Sequence, residues 1–70
     1  MLRIPVTSSN LKSVGYDESS QTLEIEFISS GIYQYYSVPR YEYDGLMAAS
    51  SHGSYFAANI KNKYSYDKIR

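Results

Sequence analysis

Cysteine is absent from this 70-residue chain, and so is tryptophan. Without cysteine there can be no disulfide framework and no thiolate metal site. Histidine is nearly absent as well: the one copy, His52, cannot hold zinc without several carboxylates gathered around it. The four glycines, Gly15, Gly31, Gly45 and Gly53, are scattered, which excludes a glycine-rich loop that cradles phosphate. Long apolar runs are missing too, so no segment is expected to span a membrane, and MLRIPVTSSN has no apolar core of a signal peptide. Seven basic groups balance seven acidic ones. Strong binding to nucleic acid by phosphate neutralisation alone is therefore not expected. Together these absences predict a cytoplasmic protein with no cofactor, no metal and no membrane association.

A chain this short builds one core, so residues 1–70 read as a single domain with a thin stability margin. Its charge is unevenly spread. Asp17, Glu18, Glu24, Glu26, Glu42 and Asp44 outnumber Arg3, Lys12 and Arg40 in the first 44 residues, whereas Lys61, Lys63, Lys68 and Arg70 face Asp67 alone in the remainder. Such asymmetry marks either a basic contact surface or a solvated tail.

Hydrophobic alternation is strongest in the first half. Val14 and Tyr16 share one side of a strand, and Asp17 to Ser20 make a polar turn. Leu23, Ile25 and Phe27 then interleave with Thr22, Glu24 and Glu26, which predicts a half-buried strand whose acidic side meets water. Ser29-Ser30-Gly31 reads as a tight turn, with Gly31 able to take positive φ, and Ile32 to Ser37 as a third strand rich in tyrosine. Short connections make the three strands an antiparallel meander. Pro39 ends the sheet and suits the first turn of a helix, on which Tyr43, Leu46, Met47 and Ser50 fall at helical spacing. Gly45 inside that helix costs about 1 kcal/mol relative to alanine unless a neighbour packs closely there. Ser51 to Ser54 reads as a break, Gly53 ending one helix and Ser54 capping the next, which carries Tyr55, Phe56, Ala57 and Ile60. The expected fold is α+β: a three-stranded antiparallel meander followed by two helices packed on one face, with residues 61–70 a flexible or docked tail.

Catalytic constellations are weak. Ser51, His52 and Ser54 adjoin in sequence, but neighbours on a turn seldom reach attack geometry, and serine is common at helix ends. Glu24 and Glu26 share a strand face expected to be open, where nothing separates an acid from a base. No catalytic residue is assigned, and an enzyme is not expected.

Tyrosine is the abundant reagent: nine copies against two phenylalanines. An apolar ring with a wet end suits core edges, protein interfaces and base-stacking platforms alike. Tyr33 and Tyr35 share one face of the third strand, opposite Tyr36, and one of those faces must be covered by the helices. Tyr64 and Tyr66 interleave with Lys61, Lys63 and Lys68, as a single-strand groove would have them, or as a tail would when its rings dock on the core.

The order of these signals resembles the KTSC domain, a short module named for its occurrence at the C-terminus of some lysyl-tRNA synthetases. The resemblance rests on Ser9-Asn10, Val14-Gly15-Tyr16-Asp17, Leu23-Glu24-Ile25-Glu26-Phe27 and Gly31-Ile32-Tyr33-Gln34-Tyr35. It continues through Val38-Pro39, Ala49 to Phe56, and Asn59-Ile60-Lys61. It implies a role without known enzymatic activity, with RNA binding suggested by the synthetase association, and candidate residues Tyr33, Tyr35, Ser51, Gly53, Tyr55, Asn59 and Lys61. Lys63 and Tyr64 join them from the basic tail. The expected function is a small non-enzymatic binding module that contacts RNA through a tyrosine-rich sheet surface and a basic C-terminal segment. The alternative is a protein-interaction module or small inhibitor whose interface uses the same tyrosines. A small-molecule binder would need an enclosed pocket, for which so short a chain leaves little room.

Overall fold

The computed structural model describes all 70 residues. Strands β1 (Arg3–Pro5), β2 (Leu11–Asp17), β3 (Thr22–Phe27) and β4 (Gly31–Tyr35) precede helices α1 (Arg40–Ala48) and α2 (His52–Asn59), and β5 (Tyr66–Lys68) closes the chain. All pairings are antiparallel and the sheet order is β1-β2-β3-β4-β5. The expected meander is therefore the centre of a sheet of five strands, not three. The two additional strands are three residues each, too short to show an alternation, and their extended state comes from pairing onto existing edges. Pro5 suits this position, because an edge strand can spare one N–H. The last residues dock through β5 and through hydrogen bonds from the Ile69 and Arg70 amides to the Ile32 carbonyl. No helix is long and apolar enough to cross a membrane.

Register divides the sheet into two chemically distinct faces. Tyr16, Leu23, Tyr35 and Tyr66 form one row and Ile4, Val14, Ile25, Tyr33 and Lys68 its neighbour. The helices cover this side: Leu46 of α1, Phe56 of α2 and Ile60 join Leu11, Val14, Leu23, Ile25, Tyr35 and Val38 in one buried cluster. A bulge between Leu11 and Ser13 lets Leu11 turn inward. Tyr16 stacks on Tyr43 with ring centroids 5.0 Å apart, and its hydroxyl donates to the Val38 carbonyl at 2.5 Å.

The opposite face carries the row Arg3, Gly15, Glu24, Gln34 and Asp67. It is not the open acidic surface that the alternation of β3 predicts, because Glu24 is buried. Arg3, delivered by β1, lays its guanidinium on the Glu24 carboxylate, and Gln34 donates to it from the other side at 2.9 Å. Burial by itself would raise the Glu24 pKa, but the Gln34 and Arg3 bonds outweigh it and hold the carboxyl below its ordinary value. Ser13 is similarly engaged, accepting from Arg3 Nε at 3.0 Å and donating to Glu26 at 2.9 Å.

Two local readings of the helices are corrected. Ser51, rather than Ser54, caps α2: its hydroxyl accepts from the Ser54 amide at 3.2 Å. Gly53 lies within the first turn of α2 instead of ending α1, and it is glycine there because the Asn10 side chain occupies the space a Cβ would need. Gly45 has a comparable reason for its place inside α1, since the Tyr55 hydroxyl sits where its Cβ would be.

Candidate functional site

A groove of about 390 Å³ opens between α2 and the β4–β5 edge of the sheet. That volume is within the range of small-ligand sites, roughly 300–1,000 Å³, despite the size of the chain. Aromatic rings form its wall in a connected series. Phe27 meets Tyr33 edge-on at 5.4 Å and Phe56 at 5.3 Å, and Phe56 meets Tyr35 at 5.5 Å. Tyr66 leans over both tyrosines of β4, 5.8 Å from Tyr33 and 5.4 Å from Tyr35. The series is graded in depth: Tyr35 is 4% exposed at the bottom, Tyr33 is half-buried and Tyr66 is 53% exposed at the mouth. Asn10, Ser29, Ser30, Ala57, Lys61 and Asn62 complete the lining. Lys68 places its ammonium 6.0 Å from the Tyr33 ring centre.

The Tyr35 hydroxyl makes no hydrogen bond within the protein and is not sealed from the groove. Burial, followed by the neighbouring Tyr66 and Tyr33, pushes its pKa up to about 12. It therefore stays protonated at neutral pH, where its hydroxyl can donate a hydrogen bond. Because the folded state favours the protonated phenol, its contribution to stability is complete below the unfolded value near pH 10 and is lost as pH rises towards 12. Denaturant midpoints followed across that window should fall in the wild type, and Tyr35→Phe should lessen the fall by on the order of 2 kcal/mol. An identical alkaline profile in the two proteins would contradict the assignment.

A second polar centre joins α1 to α2, away from the groove lining. Glu42, in the first turn of α1, is 3% exposed, and its carboxylate accepts from Tyr55 and Tyr64, both at 2.7 Å, and from Lys63 at 3.4 Å. Burial opposes its ionisation, yet the bonds from Tyr55, Tyr64 and Lys63 prevail and its pKa is lowered. The partners respond in kind: Tyr55 is raised, chiefly by its bond to Glu42, and Tyr64 is raised by burial and then by its own bond to Glu42.

Of the residues that sequence reasoning nominated, Tyr33, Tyr35 and Lys61 come together in the groove. Tyr55, Lys63 and Tyr64 converge instead on Glu42, where they join α1, α2 and the segment after it. Ser51 caps α2, and Asn59 returns a hydrogen bond to the Tyr55 carbonyl at 3.1 Å, so both serve the helix. The residues not nominated include Asn10, Phe27, Phe56 and Asn62 of the groove, and Glu42. Tyr66, which the alternation of the tail singles out together with Tyr64, parts from it: it pairs opposite Tyr35 in β5 and lines the groove, while Tyr64 turns to Glu42. Nothing in the sequence marks Glu42, which reads as an ordinary solvated residue of a helix N-terminus.

Comparison with known proteins gives a consistent result. The model of the KTSC domain family matches residues 7–64. The crystal structure of a KTSC domain protein from Yersinia pestis has a TM-score of 0.97 and 42% identity, covering 99% of this chain and 97% of that one. An uncharacterized protein from Stutzerimonas stutzeri is 40% identical over 70 residues, covering 99% of each chain. A lysine–tRNA ligase from Trichormus variabilis is 38% identical over 61 residues, which are 87% of this chain but 11% of the ligase.

Proposed function

We propose, from the premise that this chain belongs to the KTSC domain family, that it is a non-enzymatic binding module holding an unpaired base of single-stranded RNA in the aromatic groove. The observation that carries this reading is the pair of accessible rings, Tyr33 and Tyr66, set beside Lys61 and Lys68. Base–aromatic stacking needs an exposed ring, and a single strand needs cations spaced along its backbone. Asn10 and Asn62 offer side-chain amides at the rim, and Tyr35 offers a donor below. The groove is lined by no carboxylate and no histidine, which favours binding over proton-transfer chemistry. Kinship with a segment of lysine–tRNA ligase adds support by association.

The reading makes a quantitative prediction. Lys63 is engaged with Glu42, which leaves Lys61 and Lys68 to meet phosphate. Two contacts on a single strand give a log–log salt slope of about −1.4, well short of a strongly basic binder. Titrating a fluorescent single-stranded RNA pool at a series of salt concentrations measures it. No binding at low salt would end the proposal. The zero net charge keeps a protein partner as the competing outcome: capture from a lysate that survives nuclease treatment would favour that reading.

A further inference from the structure

The polypeptide alternates sides as it leaves α2. Lys61 and Asn62 line the groove, and the next two residues, Lys63 and Tyr64, turn the other way to Glu42. The Lys61 amide donates to the Phe56 carbonyl and the Lys63 amide to the Ile60 carbonyl, 3.0 and 3.1 Å, so the segment is a hydrogen-bonded turn that ties its two sides together. Helix α2 divides in the same manner: Phe56 and Ala57 face the groove while Tyr55 reaches Glu42. One buried carboxylate thus holds both the α2 wall and the basic rim from behind. The groups that face it are Tyr55 from α2 and Lys63 and Tyr64 from the following segment, with Tyr41 of α1 near enough to act on both phenols.

We propose that Glu42 is the positioning residue of the groove: by binding Tyr55, Lys63 and Tyr64 together it fixes where Lys61, Asn62 and the α2 wall stand relative to Tyr33 and Tyr66. Neutral glutamine at this position cannot hold a lysine and two phenols at once, because it offers one acceptor oxygen and no charge. The rim should then drift although no groove residue has changed. This inference rests on the RNA reading for its functional half and on geometry alone for its structural half.

The test is E42Q, read in two independent ways. Without any ligand, amide hydrogen exchange should quicken at residues 61–64 while β2 and β3 keep their protection, and the Tyr64 and Tyr55 phenols should titrate at lower pH. With a single-stranded RNA pool, affinity should fall five- to tenfold and the salt slope should shrink as Lys61 leaves the rim, a change that uniform destabilisation does not produce. If E42Q does not fold, Tyr64→Phe removes one tether and carries the exchange and RNA-binding readouts. Unchanged exchange at 61–64 overturns the inference whatever RNA does. Tighter binding overturns it too, since that would mean Glu42 withholds Lys63 from phosphate. If the wild type binds no RNA, the RNA reading fails and the exchange result alone decides the positioning claim.

Discussion

Replacing Phe56 by alanine should leave a large share of molecules unfolded at room temperature. Phe56 is the buried residue of α2, 5% exposed, and its ring meets Phe27 and Tyr35 edge-on. Truncating a buried phenylalanine costs about 3–5 kcal/mol in lost transfer energy and residual cavity. The loss of two edge-to-face pairs belongs within that figure. Against this, a chain of 70 residues has a total stability of only about 4–10 kcal/mol, at roughly 0.05–0.15 kcal/mol per residue. There is no disulfide to supplement it. Denaturant unfolding followed by circular dichroism checks the expectation, with Phe56→Leu predicted to fall between the two. A cooperative transition for the alanine variant within 1 kcal/mol of wild type would mean that α2 is not pinned as described.

Tyr66→Ala should do the reverse, sparing the fold and abolishing most binding. Tyr66 is 53% exposed on an edge strand and makes no side-chain hydrogen bond, so its removal costs chiefly the tilted contacts with Tyr33 and Tyr35. Surface changes of this kind remain near or below 1 kcal/mol. Stacking of a base on an aromatic side chain is worth about 1–3 kcal/mol by alanine substitution, which is roughly five- to 150-fold in affinity. Tyr35→Phe serves as the contrast: it keeps the ring and removes the buried donor, so it should weaken binding less and act mainly on the alkaline limb of stability. Separating the two effects matters because Tyr35 and Tyr66 touch, and substitutions at neighbouring sites do not add.

The central meander was legible because Leu23, Ile25 and Phe27 alternate cleanly with polar residues and because the connecting turns are short. The helices were legible from spacing, and Gly45, which spacing alone makes anomalous, is explained by the Tyr55 hydroxyl seated against it. What could not be read lies in elements that exist only through their partners. Arg3–Pro5 and Tyr66–Lys68 are strands because an edge was waiting for them, and three residues hold no periodicity of their own. Missing β1 led to Glu24 being placed in water, when Arg3 covers it. Missing β5 left Tyr66 in a tail, when pairing opposite Tyr35 brings it over the groove. The candidate site shows the same division. Tyr33 and Tyr35 were found from the pattern of one strand. The fates of Tyr55, Lys63 and Tyr64 depended on Glu42, a residue whose burial is set by long-range packing and by no local signal.

The most direct test of the groove as an RNA site is a pair of binding isotherms, wild type and Tyr66→Ala, against the same fluorescent single-stranded RNA at low salt. Thermal melts of both proteins taken beside them show that each is folded. The structure-based expectation is measurable binding by the wild type and a loss of at least fivefold in the variant with its melt little changed. Equal affinity of the two folded proteins would contradict it, and would move the working surface away from the tyrosines of β4 and β5.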